Sequence, residues 1–218
     1  MLWLGWAGAA ACFAQAVAES PAPAATSAPS AEGIDRATDE AIDGAIRRGV
    51  DFLLARQNDN GSWGSAFGSR DPNLYAPVPG AHHAFRAAVT SLCISALVES
   101  GDTRGEVARA IDRGEAWLVA HLESVRRAGP VALYNNWAHA YAVSALVHLA
   151  SRHGEDAARR DKLKKMIAQQ IDMLSRYECV DGGWTYYDTR NDQSSLATRR
   201  PSGWSLSFLT ATVLVAMA

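Results

Sequence analysis

The chain has 218 residues, 21 of them lysine or arginine and 23 aspartate or glutamate, which leaves a formal charge of −2. This balance, with no basic run interleaved with aromatics, excludes the electrostatic footprint of a nucleic-acid groove. With 48% of its residues hydrophobic, the chain is long enough to bury one sizeable core.

Met1 to Ala18 carries no charge, has an apolar body through Leu4, Ala10 and Phe13, and ends in Ala16-Val17-Ala18, the small-residue shape of a signal-peptidase site. Export to the periplasm or the extracellular space is expected, with residues 1–18 removed. A cationic n-region is missing, so a plain apolar arm or an uncleaved membrane tether stands as the alternative, and Cys12 after Ala9-Ala10-Ala11 as a lipid acceptor is another. Residues 19–33 are rich in Pro, Ala and Ser and hold few large apolar groups, so they read as a linker. Beyond them only Cys93 and Cys179 remain. Two cysteines make no framework, and Cys93, in an apolar run, is expected as a small buried residue without a disulfide.

From Ile34 onward the chain repeats itself. One stretch reads Arg48-Gly49-Val50-Asp51-Phe52-Leu53, then Gln57, then Asn60-Gly61-Ser62-Trp63-Gly64. A second, shifted by 65 positions, reads Arg113-Gly114-Glu115-Ala116-Trp117-Leu118 but lacks the glutamine and the Gly-x-Trp ending. The third, shifted by 121, keeps Met173-Leu174, puts Glu178 where Gln57 stood, and restores Asp181-Gly182-Gly183-Trp184. Small-residue apolar runs follow each, two of them sharing Ser-Ala-Leu-Val at residues 95–98 and 144–147.

Each unit reads as a helical hairpin. The first members (Ala41 to Arg56, Arg104 to Val125, Asp156 to Tyr177) space apolar groups at three and four, with charge on the opposite face. They are surface helices. The second members (Phe85 to Ser100, Trp137 to Arg152, Trp204 to Ala218) are apolar nearly all round, so other helices must surround them. Gly101 and Gly154 are placed to supply left-handed caps, and Asn60-Gly61 to make a turn. The expected architecture is all-α: one domain over 34–218, with repeats at about 41–100, 104–152 and 156–218, arranged as an α/α toroid with inner and outer helix rings.

Arg48-Gly49-x2-Phe52-Leu53-x3-Gln57-x3-Gly61-x-Trp63 resembles the QW motif of squalene-hopene and oxidosqualene cyclases. Gly80-Ala81-His82-His83 through Ala88-Val89-Thr90-Ser91-Leu92-Cys93 is similar to the segment entering an inner helix in protein prenyltransferase β-subunits. Gly182-Gly183-Trp184-Thr185-Tyr186-Tyr187-Asp188, then Pro201-Ser202-Gly203, is similar to repeats of bacterial squalene-cyclase-like proteins. Across about Ala41 to Ala218 the chain thus resembles the terpenoid cyclase and protein prenyltransferase β-subunit superfamily, which implies the toroid.

The motif reads as a staple: Gln57 satisfies orphan backbone groups at a neighbouring helix end, Trp63 stacks across it, and Gly61 makes the turn. Gln57, Gly61, Trp63, Gly182, Gly183 and Trp184 are therefore assigned structural roles. For chemistry, the resemblance implies either an Asp-x-Asp-Asp acid that protonates an alkene or a zinc ion held by Asp, Cys and His. These residues contain no Asp-x-Asp-Asp, Cys93, Asp188 and His139 do not match the zinc context, and the thioester run of α2-macroglobulin-type toroids is absent. No catalytic residue, metal or cofactor is assigned.

The remaining polar candidates sit where inner helices begin: His82 and His83 before one, and Tyr134, Asn135, Trp137, His139 and Tyr141 at the next. They are candidate substrate-binding residues. Trp137 and Tyr141, four apart on one helix face, could line a pocket whose ring faces stabilise a cation; core aromatics and capping groups are the alternative. Asp181, Asp188 and Asp192 form a carboxylate cluster of the kind glycan-cleaving enzymes need, but their loop placement reads as solvated turns.

Pro201 to Ala218 is uncharged, yet its serines and threonines and its match to the earlier runs make it an inner helix, so no membrane span is expected in the mature domain. It stops without a cap. Three hairpins are present, whereas the resemblance implies five or six. An incomplete toroid is expected, with an open apolar face for an apolar small molecule, a protein or a second copy in a homodimer. The function expected is a non-catalytic binding or structural toroid for a lipid, glycan or protein. The alternative is a triterpene cyclase or prenyltransferase-like enzyme whose acid or metal site lies beyond Ala218.

Overall fold

The computed structural model describes residues 31–64, 81–125, 135–185 and 204–218, with side chains from 38, 84 and 136 onward in the first three segments. The expected signal segment and most of the expected linker lie outside it, as do Tyr134, Asp188 and Asp192. The chain divides into two units, Met1–Glu40 and Ala41–Ala218, and the packing below concerns the second.

The described residues form six α-helices and no strand: α1 (Ala31–Ala55), α2 (Ala81–Glu99), α3 (Gly105–His121), α4 (Asn135–Arg152), α5 (Ala157–Tyr177) and α6 (Ser207–Met217). A 3-10 turn, Leu122–Ser124, extends α3. Helix α1 begins at Ala31, ahead of the expected Ala41, so the linker's last residues are helical. Among the described residues no helix is long and apolar enough to cross a membrane.

The all-round apolar helices α2, α4 and α6 pack side by side, with α3 against α2 and α5 against α4. Helices α2 and α4 run parallel, since their C-terminal ends meet where His148 Nε2 lies 3.5 Å from Glu99 Oε1. Helix α5 runs antiparallel to α4, since the early His139 meets the late Gln170. One core, to which α1 to α5 contribute, is built on Trp63, Ile94, Leu97, Leu118, Leu146, Leu149 and Leu163. A second, of α4, α5 and α6, holds Val143, Leu174, Tyr177, Trp184, Leu209 and Val213. Helices α2 and α4 are rich in Ala and Ser. Cys93 belongs to the first core, where burial pushes its thiol up to about 11.

The first and third repeats share one clamp. Trp63 is 2% exposed; its indole Nε1 donates to Leu53 O at 2.8 Å, and its backbone N donates to Thr90 Oγ1 at 3.0 Å. Trp184 does the same to Leu174 O at 2.8 Å and Thr210 Oγ1 at 3.1 Å. The turns that carry them match as well. Asn58 N donates to Ser62 O and Gly61 N to Asn58 O, as Cys179 N does to Gly183 O and Gly182 N to Cys179 O. Gly61 and Gly182 take φ of 89° and 86°, a conformation that strains a side chain. Each clamp therefore ties the end of one surface helix to the following apolar helix.

Helix ends follow the sequence in part. Gly101, at φ 65°, ends α2 as expected, whereas Gly154 does not take the left-handed conformation. There Asp156 starts α5 instead, its side chain accepting from Arg159 N at 3.0 Å, so the carboxylate rather than the glycine shapes this turn.

Candidate functional site

Gln57 is a cross-helix tie, though not the one expected. Its Nε2 donates to Gly61 O at 2.9 Å and to Ala110 O at 2.8 Å, while Arg113 donates to its Oε1. Ala110 lies inside α3, so the carbonyl held is an interior one and not an orphan at a helix end. The tryptophan packs elsewhere too: a Cβ at Gly114 would come within 2.7 Å of the Trp63 ring and 3.1 Å of Ile94. Gly114 is thus the seat for Trp63, and Gly61 passes so near that a Cβ there would meet Arg113 O at 2.5 Å. Gly183 is equally confined, its Cβ position lying 2.4 Å from Ser205 Cβ.

Of the sequence candidates at the start of α4, His139 belongs to a buried polar pair. His139 is 1% exposed and Gln170 3% exposed, with His139 Nδ1 at 2.6 Å from Gln170 Oε1. Because the amide oxygen accepts, Nδ1 carries the proton and Nε2 is left as a lone-pair acceptor. That Nε2 has no hydrogen-bond partner. The ring stacks on Tyr177 at 5.9 Å. Burial lowers the imidazole's pKa, the Gln170 bond opposing this in part, so the ring is held neutral. One turn earlier, Asn136 donates to Thr185 O at 2.5 Å, tying α4 to the segment after the Trp184 clamp.

Trp137 and Tyr141 do not share a pocket. Trp137 packs with the second core, its ring 6.3 Å from that of Phe208, and Tyr141 packs against the first. Among the described residues, His139, Trp137 and Tyr141 pack against other helices. His82 and His83 open α2, and Asn135 opens α4, with their side chains outside the described residues.

Clefts lie elsewhere. One of about 620 Å³ sits between the C-terminal ends of α2 and α4 and the start of α3, lined by Leu97, Val98, Glu99, Ile111, His148 and Arg152. Another, of about 530 Å³, runs between α1 and α2 along Ile46, Gly49, Val50, Phe52 and Ala96. No group of three His, Cys, Asp or Glu side chains able to hold a metal occurs among the described residues.

Sequence reasoning missed Glu115. Only 2% exposed, it accepts from Arg159 Nε at 2.7 Å and pairs with His153 Nε2 at 2.8 Å, locking α3 to the end of α4 and the start of α5. The pairing raises the Arg159 pKa. Its signal was in plain view: Glu115 stands where the first repeat has the apolar Val50. Arg104 was also missed; it bridges Asp51 of α1 to Asp102 at the foot of α3, both at 2.8 Å, and holds the Asp102 carboxyl below its usual range.

No protein-family model matches the sequence, and no solved structure matches the chain.

Proposed function

We propose that this chain is an exported, squalene-cyclase-like repeat scaffold of the α/α-toroid type, which binds a lipid, glycan or protein and does not catalyse a reaction. The observation that carries this reading is the paired tryptophan clamp. The same indole, hydroxyl and glycine contacts recur at Trp63 and Trp184, which is what a QW-type staple has to do in each hairpin of a ring. Parallel apolar helices flanked by amphipathic antiparallel ones are compatible with inner and outer rings. His139, stacked on Tyr177 and bonded to Gln170, fits a packing role better than that of a catalytic base. Neither an Asp-x-Asp-Asp acid nor a zinc ligand set stands in these 218 residues.

The test uses protein recovered from the exported fraction and incubated with labelled squalene. Its N-terminus is expected at Glu19, and the squalene is expected back uncyclised. An N-terminus at Met1 would remove the export reading, and a cyclised product would replace the scaffold with an enzyme.

A further inference from the structure

We infer that helix α6 of one copy seats in the groove between α1 and α2 of a second copy, so that the chain assembles head to tail through a plug and a socket. The inference rests on the toroid-type repeat proposed above. Within the chain the same joint occurs twice. Helix α2 lies on α3 and α4, and α4 lies on α5 and α6. Each apolar helix therefore beds on the surface helix and the apolar helix of the following repeat.

The socket is read by moving back one repeat. Val107, Ile111 and Trp117 of α3, which bed against the first core, are 1%, 5% and 4% exposed. Their counterparts on α1, 65 positions earlier, are Ile42, Ile46 and Phe52, at 50%, 45% and 59%. On the apolar helices, the shared Ser-Ala-Leu-Val sets the register. Ala138, Tyr141 and Ala145 of α4 face the core, while the matching Val89, Leu92 and Ala96 of α2 are exposed. The α1–α2 cleft of about 530 Å³ is this bed, unfilled among the described residues.

The plug is read the same way. Thr90 and Thr210 make the same bond to a clamp tryptophan and so align α2 with α6. Ala84, Ala88, Ile94 and Leu97 of α2 are 1%, 7%, 0% and 1% exposed in their bed. Their counterparts on α6 and just before it, Trp204, Phe208, Leu214 and Met217, are 89%, 50%, 56% and 39% exposed. One molecule thus carries an apolar ridge and the groove in which a ridge of that register already lies twice. The joint continues an interface the fold has already built, and an uncharged plug on an apolar bed needs no ion pair to desolvate. The contact is heterologous, so it closes only by rotation. A two-fold rotation lets each copy's plug enter the other's socket, so a closed dimer is the smallest assembly that leaves neither face open.

The experiment is light scattering on the 218-residue chain, with Leu214→Glu breaking the plug and Leu92→Glu breaking the socket. Both residues are exposed, so each variant should keep its helical circular dichroism and its melt. The parent chain is expected at twice the monomer mass and each variant alone at the monomer mass. An equimolar mixture is expected to recover a one-to-one pair, because it contains one intact plug and one intact socket. A parent chain that stays monomeric at high concentration, with the faces taken by a different partner, would overturn the inference, as would a dimer that survives Leu92→Glu. If the parent is monomeric while Trp63→Ala still lowers the melt, the assembly inference alone falls; if Trp63→Ala changes nothing, the repeat reading falls with it.

Discussion

Trp63→Ala should cost about 3–5 kcal/mol of folding stability, the range for emptying a buried aromatic site, and lower Tm by roughly 10 °C for a domain of this size. Three effects add. The ring is 2% exposed and seated on Gly114 and Ile94, so its removal leaves a cavity that the rigid α2–α3 contact cannot close. Its indole bond to Leu53 O is lost, leaving that carbonyl without this donor at the point where α1 unwinds. The third effect is one of linkage, because Thr90, Gln57 and Arg113 lock the same turn. Trp63→Phe should lie between the parent and the alanine variant, since it keeps most of the volume and loses the hydrogen bond. Thermal melts followed by circular dichroism check all three proteins, and an unchanged Tm for Trp63→Ala would remove the clamp from the account.

Glu115→Ala should cost about 2–4 kcal/mol, below the upper end for breaking a buried ion pair, because Arg159 is 42% exposed and can turn to water. The cost falls mainly on His153, whose side chain is only 13% exposed and whose Nε2 loses its partner. This one carboxylate joins α3, the end of α4 and the start of α5, so its loss should loosen the packing of those three helices. Glu106→Ala is the matched control: Glu106 pairs with Arg104 at 3.0 Å but is 51% exposed, and such a pair contributes at most about 1 kcal/mol. Urea melts of the two variants should separate them clearly, and equal midpoints would show that Glu115 is not a joint.

The helices were legible because period and composition agree. Amphipathic spacing in 104–125 and 156–177 and the Ala, Ser and Leu runs after them predict surface and enclosed helices, and these appear as α3, α5, α4 and α6. The 121-residue shift was legible too, as Gly-x-Trp and Gly-Gly-Trp endings. What could not be read was the partner of each group. Gln57 was given a helix end and takes an interior carbonyl at Ala110, since a one-dimensional pattern does not say which turn of α3 lies opposite. Thr90 and Thr210 look like ordinary helix residues until a tryptophan amide is placed 3.0 and 3.1 Å away. His139, in the register of Thr90, occurs in the repeat that lacks the tryptophan ending. There it meets Gln170, which aligns with Gly49 and Gly114 of the other repeats. The His139–Gln170 pair, between the middle and third repeats, stands where Trp63 of the first repeat sits on Gly114 of the second, a substitution of a polar pair for an aromatic on a glycine that the sequence pattern does not reveal.

Solvent exchange of the indole N–H protons, read residue by residue by NMR, tests the repeated clamp most directly. Trp63 and Trp184, each bonded at 2.8 Å to a carbonyl ten residues earlier, should exchange slowly and to a similar degree, while Trp204, 89% exposed, exchanges at the rate of a free indole. If Trp63 and Trp184 exchange as fast as Trp204, or differ widely from each other, the two turns are not the same clamp and the repeat reading is contradicted.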